Sequence, residues 1–174
     1  NVLFLHAGDV NTGMPESDLL DAKPDIEALN MIGTDAMTVG NHEFDNPMSV
    51  LKKQEEWAEF PFLAANILKD GETIFDPYKI VEMNGLNVGI IGAISKESEI
   101  IANPEFVKGL KFINPVEAVK KYKKEIEDKY DVDLVIALTH LGYYENDYKY
   151  NGSIDLAKAI PNIVVVDGHT HTKL

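Results

Sequence analysis

The chain has 174 residues, which is enough for one domain with a sizeable hydrophobic core. Its formal net charge of −13 disfavours binding to a nucleic-acid polymer, because a negative field repels the phosphate backbone. The absence of cysteine excludes disulfides and thiolate ligands, so any metal ion must be held by oxygen and imidazole groups. All 16 basic side chains are lysine, so a bound phosphate would depend on metal ions or on groups outside this chain. No apolar run is long enough to span a membrane.

Short apolar strands alternate with amphipathic helices in the first half of the chain, which is the pattern of an α/β domain. Strands are predicted at 2–7, 36–39 and 62–65. One helix is predicted to begin at Pro24 and to end near Gly33, since proline fits the first turn of a helix. A second helix is predicted to follow Asn46-Pro47 for the same reason.

A hairpin signal opens the second half, where Asn84-Gly85 lies between apolar runs at 78–83 and 86–91. An antiparallel hairpin within such a pattern indicates either a mixed sheet or two stacked sheets. Asn114 is predicted to cap the next helix, whose apolar stripe consists of Val119, Tyr122, Ile126 and Tyr130. A strand at 134–138, a short helix at 154–160 and a strand at 163–166 complete the chain.

Polar groups that can bind a metal ion follow four of the predicted strands directly. These groups are Asp9, Asn41 with His42, His140, and His169 with His171. In open α/β sheets, ligands gather outside the carboxyl ends of the strands. Each group has an ordinary structural alternative, such as a turn role for Asp9 or a hydrogen-bonded structural histidine. Together they predict a metal site, whereas His6, inside the first strand, is interpreted as structural.

The residue types fit a pair of metal ions acting on phosphate. Two divalent cations about 3.5–4 Å apart can clamp the attacking and leaving oxygens of a phosphoryl group. Asp9 is the natural bridge, because a carboxylate has two oxygens and a charge that offsets the repulsion between the ions. Imidazole and the Asn41 carbonyl oxygen are neutral ligands, so the ions keep enough charge to generate hydroxide near neutral pH. Oxygen and nitrogen ligands suit Zn, Mn, Fe or Co alike.

The sequence resembles the calcineurin-like metallophosphoesterases, in the motifs Gly8-Asp9, Gly40-Asn41-His42-Glu43, Thr139-His140 and Gly168-His169-Thr170-His171. The longer strings at 8–13 and 40–47 are similar to the 5′-nucleotidase branch, including bacterial UDP-sugar hydrolases. The resemblance covers essentially the whole chain and implies a four-layer α/β/β/α sandwich that is truncated at both ends. The family's first Asp-x-His strand and its C-terminal nucleotide-binding domain are then expected outside residues 1–174.

The resemblance also implies a ligand set for two divalent metal ions. Asp9 would bridge the two ions. Asn41, His140 and His169 would bind the second ion. His171 would bind the first ion, at a position that is glutamine in some relatives.

A catalytic pair is implied beside these ligands. His42 would stabilise the transition state or protonate the leaving group, and Asp45 would fix the tautomer of His42 and raise its pKa. An alternative role for Asp45 is to cap the following helix. Asn11 and Asn66 are weaker candidates for contacts with the substrate.

By this resemblance the protein is a metal-dependent hydrolase of phosphate esters, with 5′-nucleotides as the first substrate candidates and UDP-sugars as the second. One alternative is a 2′,3′-cyclic-nucleotide phosphodiesterase of the same superfamily. The other is a catalytically incomplete metal-binding domain, because the Asp-x-His motif is not in the chain. The chain alone is therefore expected to hold one metal ion well and a second poorly. The resemblance further implies a periplasmic, cell-wall-attached or secreted protein.

Overall fold

The computed structural model describes residues 2–145 and 149–173. Its strands are Leu5–His6 (β1), Ala36–Thr38 (β2), Phe62–Leu63 (β3), Ile67–Lys69 (β4), Glu72–Thr73 (β5), Tyr78–Met83 (β6), Leu86–Ile94 (β7), Leu110–Phe112 (β8), Leu134–His140 (β9) and Val164–Val166 (β10). Its α-helices are Pro15–Leu19 (α1), Lys23–Ile32 (α2), Met48–Trp57 (α3), Ser98–Ile101 (α4), Pro115–Lys129 (α5) and Ser153–Ala159 (α6), and a 3₁₀ turn spans His42–Phe44. Within these ranges, no helix combines the length and the apolar character that crossing a bilayer requires.

Two sheets carry the parallel strands. The first has the order β1-β2-β3, and the second has the order β10-β9-β7-β6, in which only β6 is antiparallel to its neighbour. The β6–β7 connection is the predicted hairpin, and Asn84 and Gly85 have φ of 55° and 80°, as a tight hairpin turn requires. A small antiparallel sheet, β5-β4-β8, packs beside the first sheet.

Side chains alternate between separate cores, because successive residues of a strand face opposite sides of the sheet. In β9, Ile136 and Leu138 join a core between the two sheets, while Val135 and Ala137 join a core against α5 and α6. The side chains of the first sheet also face two cores. One face of this sheet packs on the second sheet, and the other packs on α2 and α3. The layers are therefore helix, sheet, sheet and helix, which confirms the predicted α/β/β/α sandwich.

Helix α5 begins as predicted, because the side chain of Asn114 accepts a hydrogen bond from the backbone N–H of Glu117 at 3.1 Å. Val119 and Ile126 are fully buried on the stripe that faces the sheet. The prediction that Tyr130 continues this stripe was wrong, since it is 44% exposed. The helix ends at Lys129, and Tyr130 is already extended, so it no longer follows the helical repeat.

Two strand boundaries differ from the predictions in ways that affect the site. Strand β9 runs to His140 instead of ending at 138, so that His140 is held within the sheet and buried. Strand β1 covers only Leu5–His6, although the backbone N–H of Asp35 donates to the Phe4 carbonyl at 2.8 Å in the same register.

Candidate metal centre

The predicted ligands lie at the carboxyl ends of strands from both sheets. Asp9 and Asn41 follow β1 and β2 of the first sheet, while His140 ends β9 and His169 follows β10 of the second. Because the sheets are stacked, these ends meet at one edge of the sandwich. Asp9, His140 and His169 each place one ligand atom there, and the three atoms lie within 4.8 Å of one another. The sandwich thus assembles one carboxylate and two imidazoles, which are ligands for a divalent metal.

Asp9 and His140 face each other across this point. Oδ2 of Asp9 is 2.8 Å from Nε2 of His140, but the two atoms are not aligned as a hydrogen bond. Nδ1 of His140 lies 2.6 Å from the Ala7 carbonyl oxygen, so Nδ1 carries the proton of the neutral ring. In the neutral ring, the lone pair of Nε2 faces the Asp9 carboxylate, and a proton or a metal ion between them would stabilise both.

The pKa values agree with this attraction for a cation. Burial lowers the pKa of His140, but the Asp9 carboxylate and the Ala7 carbonyl outweigh it, so the pKa lies above its ordinary value. Burial raises the pKa of Asp9, but His140 and the N–H of His42 outweigh that effect, so the pKa lies below its ordinary value. Asp9 therefore remains ionised and supplies the negative charge of the site.

Asn41 supplies an independent test of whether the site fits a metal ion. Its carbonyl oxygen, Oδ1, is buried and has no hydrogen-bond partner among the described residues. Leaving such a group unpaired costs about 1–3 kcal/mol. Asn41 stands between Gly40 and His42, both of which contact the Asp9 carboxylate, so a cation beside Asp9 would lie close to it. An unpaired amide oxygen, an imidazole nitrogen and a carboxylate form a donor set that fits a divalent ion.

Gly40 is required because the Asp9 side chain lies directly over it. A Cβ atom at position 40 would be 2.3 Å from Oδ1 of Asp9. Gly8 has a φ of +86°, and a Cβ there would be 2.8 Å from the Gly40 nitrogen and 2.9 Å from Nδ1 of His140. The two glycines therefore let the loops after β1 and β2 pack close enough to share one site.

Glu43 holds these two loops together, a role that the sequence analysis missed. Its fully buried carboxylate accepts hydrogen bonds at 2.6–3.3 Å from the backbone N–H groups of Asp9, Val10, Asn11 and Gly40. Burial and the charge of Asp9 raise the pKa of Glu43, and the N–H groups act in the opposite direction. Each oxygen accepts two N–H groups, and these hydrogen bonds favour the ionised carboxylate. The available signal was an acidic residue directly before the buried Phe44.

His42 and Asp45 form the predicted pair on the 3₁₀ turn. Nδ1 of His42 is 2.6 Å from Oδ2 of Asp45, and the hydroxyl of Thr12 donates to the same oxygen at 3.2 Å. Burial lowers the pKa of His42, but Asp45 and the nearby charges of Asp9 and Glu43 outweigh it, so the pKa is raised. The backbone N–H of His42 donates to Oδ1 of Asp9 at 2.9 Å, which fixes the pair beside the candidate metal ligands.

Three other predicted residues lie outside the group of converging ligand atoms. His171 is exposed, with a φ of 51°, and with His169 it lines an open cavity of about 450 Å³. Asn11 is buried behind His42, where it donates to the His42 carbonyl at 3.2 Å and accepts from Gln54 at 2.8 Å. Asn66 donates both amide hydrogens to the carbonyls of Ile94 and Ile113, so no donor of its side chain is left for a substrate.

Glu97 is a second acidic neighbour that the sequence analysis missed. Its Oε2 lies 3.4 Å from Nε2 of His169, and the rings of His169 and His140 are 5.0 Å apart between centroids. Glu97 lies in the turn after β7. Strand β7 is parallel to its neighbour β9, which carries His140. The pairing of these strands brings Glu97 to the site, and no local motif indicated it.

The chain is similar to curated proteins named 5′-nucleotidase and UshA. A 5′-nucleotidase of Vibrio cholerae serotype O1 is 45% identical to the chain, and Protein UshA of Escherichia coli is 41% identical. Each alignment covers 98% of this chain and 32% of the relative, so the chain spans about a third of the length of these curated relatives.

Two solved structures share the fold. The 5′-nucleotidase precursor of Thermus thermophilus has a TM-score of 0.82 at 32% identity, covering 98% of this chain and 32% of that one. The calcineurin-like phosphoesterase YfkN of Bacillus subtilis has a TM-score of 0.86 at 26% identity, covering 98% of this chain and 58% of that one. The family model described as calcineurin-like phosphoesterase matches residues 1–173. With its stacked sheets and the acidic and imidazole groups at their shared edge, the chain belongs to the calcineurin-like phosphoesterase family.

Proposed function

We propose that the chain is the metal-binding part of a longer enzyme that hydrolyses phosphate esters, and that 5′-nucleotides are its substrates. The observation that carries the proposal is the position of Asp9. One of its oxygens faces His140 within the candidate metal group, and the other accepts the N–H of His42, which belongs to the acid pair. Metal ligands and a proton donor are therefore built around one carboxylate. The likeness to proteins named 5′-nucleotidase supports the choice of substrate.

The metal site is proposed to hold two divalent ions. Asn41, His140 and His169 would hold one ion together with Asp9, which would also face the second. His171 would contribute to the second ion with groups from a part of the protein outside this chain. Bound ions of this kind polarise a phosphoryl oxygen and lower the pKa of a bound water molecule. The ligands are compatible with Zn, Mn, Fe or Co.

His42 is proposed to act as the acid. Nδ1 is engaged by Asp45, which leaves Nε2 as the nitrogen that acts on the substrate. The raised pKa of His42 favours the protonated ring, which can donate a proton to the leaving oxygen or offset the negative charge that develops on the phosphoryl oxygens. Asp45 keeps the ring in one orientation and stabilises its positive charge.

Recognition of the nucleoside is proposed to lie elsewhere in the longer protein, in a C-terminal nucleotide-binding domain. The chain has no arginine, and its net charge is −13, so the phosphate of the substrate would be bound mainly through the metal ions. By family resemblance, we also propose that the protein acts in the periplasm, at the cell wall or after secretion.

Initial rates of the full-length protein on three substrates test this proposal. We expect turnover of 5′-AMP, slower or equal turnover of UDP-glucose, and loss of both activities after chelation of the metal. A full-length protein that binds metal and does not hydrolyse 5′-AMP would refute the choice of substrate. Turnover of 2′,3′-cyclic AMP alone would instead assign it to the cyclic phosphodiesterases of the same superfamily.

A further inference from the structure

Asp167 joins the two strand ends that carry the histidines of the second sheet. It directly follows β10, and its Oδ1 accepts hydrogen bonds from the hydroxyl of Thr139 and from the backbone N–H of Leu141, both at 2.8 Å. Thr139 and Leu141 are the two neighbours of His140 in the chain. Asp167 itself is two positions before His169. One carboxylate oxygen therefore connects the segments of both imidazoles.

These contacts are long-range and are not part of a local turn. The partners of Asp167 are 28 and 26 residues away in sequence, and they lie at the end of the neighbouring strand β9 and directly after it. The segment after Asp167 also lies close to the end of β9, since the Gly168 N–H donates to the Thr139 carbonyl at 3.2 Å. A Cβ atom at position 168 would be 3.2 Å from Nδ1 of His140. The carboxylate thus reinforces a close contact between the two segments.

The backbone around His169 needs such support. His169 has a φ of +86°, in the left-handed region that residues with a Cβ atom rarely adopt. Such conformations persist where surrounding contacts determine them. Thr139 is fully buried and Asp167 is half-buried, so the hydrogen bond between them is partly shielded from competing water. The bonds of Asp167 are therefore placed to hold the conformation that aims His169 toward His140 and Asp9.

We propose that Asp167 is a positioning residue that fixes the His140 and His169 imidazoles relative to each other for metal binding. This inference rests on the proposed metal site. Asp167 lies outside the group of converging ligand atoms, so its effect is exerted through the histidines. Partners of this kind outside the ligand shell typically change metal affinity by roughly ten- to hundred-fold when they are removed.

Zinc affinity of the 174-residue chain, measured by calorimetry for wild type and four variants, tests the role of Asp167. Asp167→Ala removes both hydrogen bonds, and we expect it to weaken zinc binding roughly ten- to hundred-fold. Asp167→Asn keeps an oxygen acceptor in the same place, since both bonds use one oxygen, and we expect near wild-type affinity. Thr139→Val removes one of the two bonds and should weaken zinc binding less than Asp167→Ala does. This variant also tests the role of Asp167 if Asp167→Ala is too unstable to purify.

Asp133→Ala is the matched control. Asp133 accepts the backbone N–H of Asn87 at 2.8 Å, and it lies at the opposite end of β9, about 23 Å from His140 by the rise of a strand. We expect zinc affinity to be unchanged in this variant. The visible spectrum of bound Co²⁺ provides a second measurement, because it reports ligand geometry, and it should change in Asp167→Ala but not in Asp133→Ala.

The outcomes separate this inference from the proposed function. A wild-type chain that binds no zinc would refute the proposed metal site, and the role of Asp167 with it. If wild type binds zinc and Asp167→Ala binds it equally tightly, only the positioning role is refuted. Equal losses in Asp167→Ala and Asp167→Asn would show that charge is responsible and would also overturn the hydrogen-bond role proposed for Asp167.

Discussion

The Glu43 carboxylate accepts the backbone N–H of Asp9 at 2.9 Å, so two acidic residues lie side by side at the candidate site. This arrangement is possible because the contact is made to the main chain of Asp9, while its side chain turns toward His140 and His42. Asp9 has a φ of 58°, which is unfavourable for a residue with a side chain, and the bond from its N–H helps to hold that conformation. Glu43 thus helps to fix the position of the proposed bridging carboxylate, while its own carboxylate lies outside the group of converging ligand atoms.

Replacement of Glu43 by glutamine is expected to destabilise the metal-free chain by about 2–3 kcal/mol, because the new NH₂ group would face two backbone N–H donors in a buried place. Urea unfolding without metal measures this change. Glu105→Gln is the control, since Glu105 is exposed, and it should alter the free energy of unfolding by less than about 0.5 kcal/mol. Equal stability of the two variants would contradict the role of Glu43.

Replacement of His42 by alanine in the full-length protein is expected to lower kcat roughly 10²- to 10⁴-fold, as loss of a general acid does. Metal content should stay nearly the same, because the contact of His42 with Asp9 is made by its backbone N–H, which alanine keeps. Steady-state kinetics and metal analysis of the same preparation measure both quantities. Loss of metal from this variant would show that His42 is a ligand and that its proposed role is wrong.

Replacement of Asp45 by asparagine is expected to shift the alkaline limb of the pH–rate profile to lower pH. Asp45 helps to raise the pKa of His42, so the wild-type ring keeps its proton as the pH rises through the ordinary value and loses it only near the raised value. Without the carboxylate, the proton is lost earlier in the same titration. Rates between about pH 5 and 10 on 5′-AMP measure the shift. A limb that stays in place would exclude His42 as the group that must be protonated.

The chain alone is expected to bind one divalent ion tightly and a second weakly, because the ligand atoms of Asp9, His140 and His169 converge, whereas His171 is exposed and outside that group. Metal analysis after dialysis should find about one ion per chain. Free Zn²⁺ at 100 times its Kd should raise the free energy of unfolding by about 2.7 kcal/mol, and EDTA should reverse this increase.

Asn41→Ala should reduce this stabilisation by zinc, since its buried carbonyl oxygen is a proposed ligand. Two tightly held ions per chain would contradict the expectation of one tight and one weak metal site. An undiminished stabilisation in Asn41→Ala would remove Asn41 from the proposed ligand set.

Local features of the sequence determined much of the fold. The hairpin at Asn84-Gly85 and the capped helix after Asn114 depend on residues that are neighbours in the chain, and both are found as predicted. Strand β9 is apolar on both faces, which suits a strand buried between a helix layer and a second sheet, since Ile136 and Leu138 join one core and Val135 and Ala137 the other. The position of polar groups after strands indicated where a site would form, although each group alone had an ordinary structural alternative.

Only the tertiary structure decided which of these groups meet. Asp9 and His140 are far apart in sequence, and their contact exists because two sheets stack with their carboxyl ends at one edge. The same packing turned Asn66 to the strand carbonyls and brought Glu43 and Asp167 to the backbones that carry the ligands. Sequence by itself determined the chemical types of the donors, since these depend on residue identity. Their distances and supporting hydrogen bonds depend on long-range packing, which no local pattern in the chain encodes.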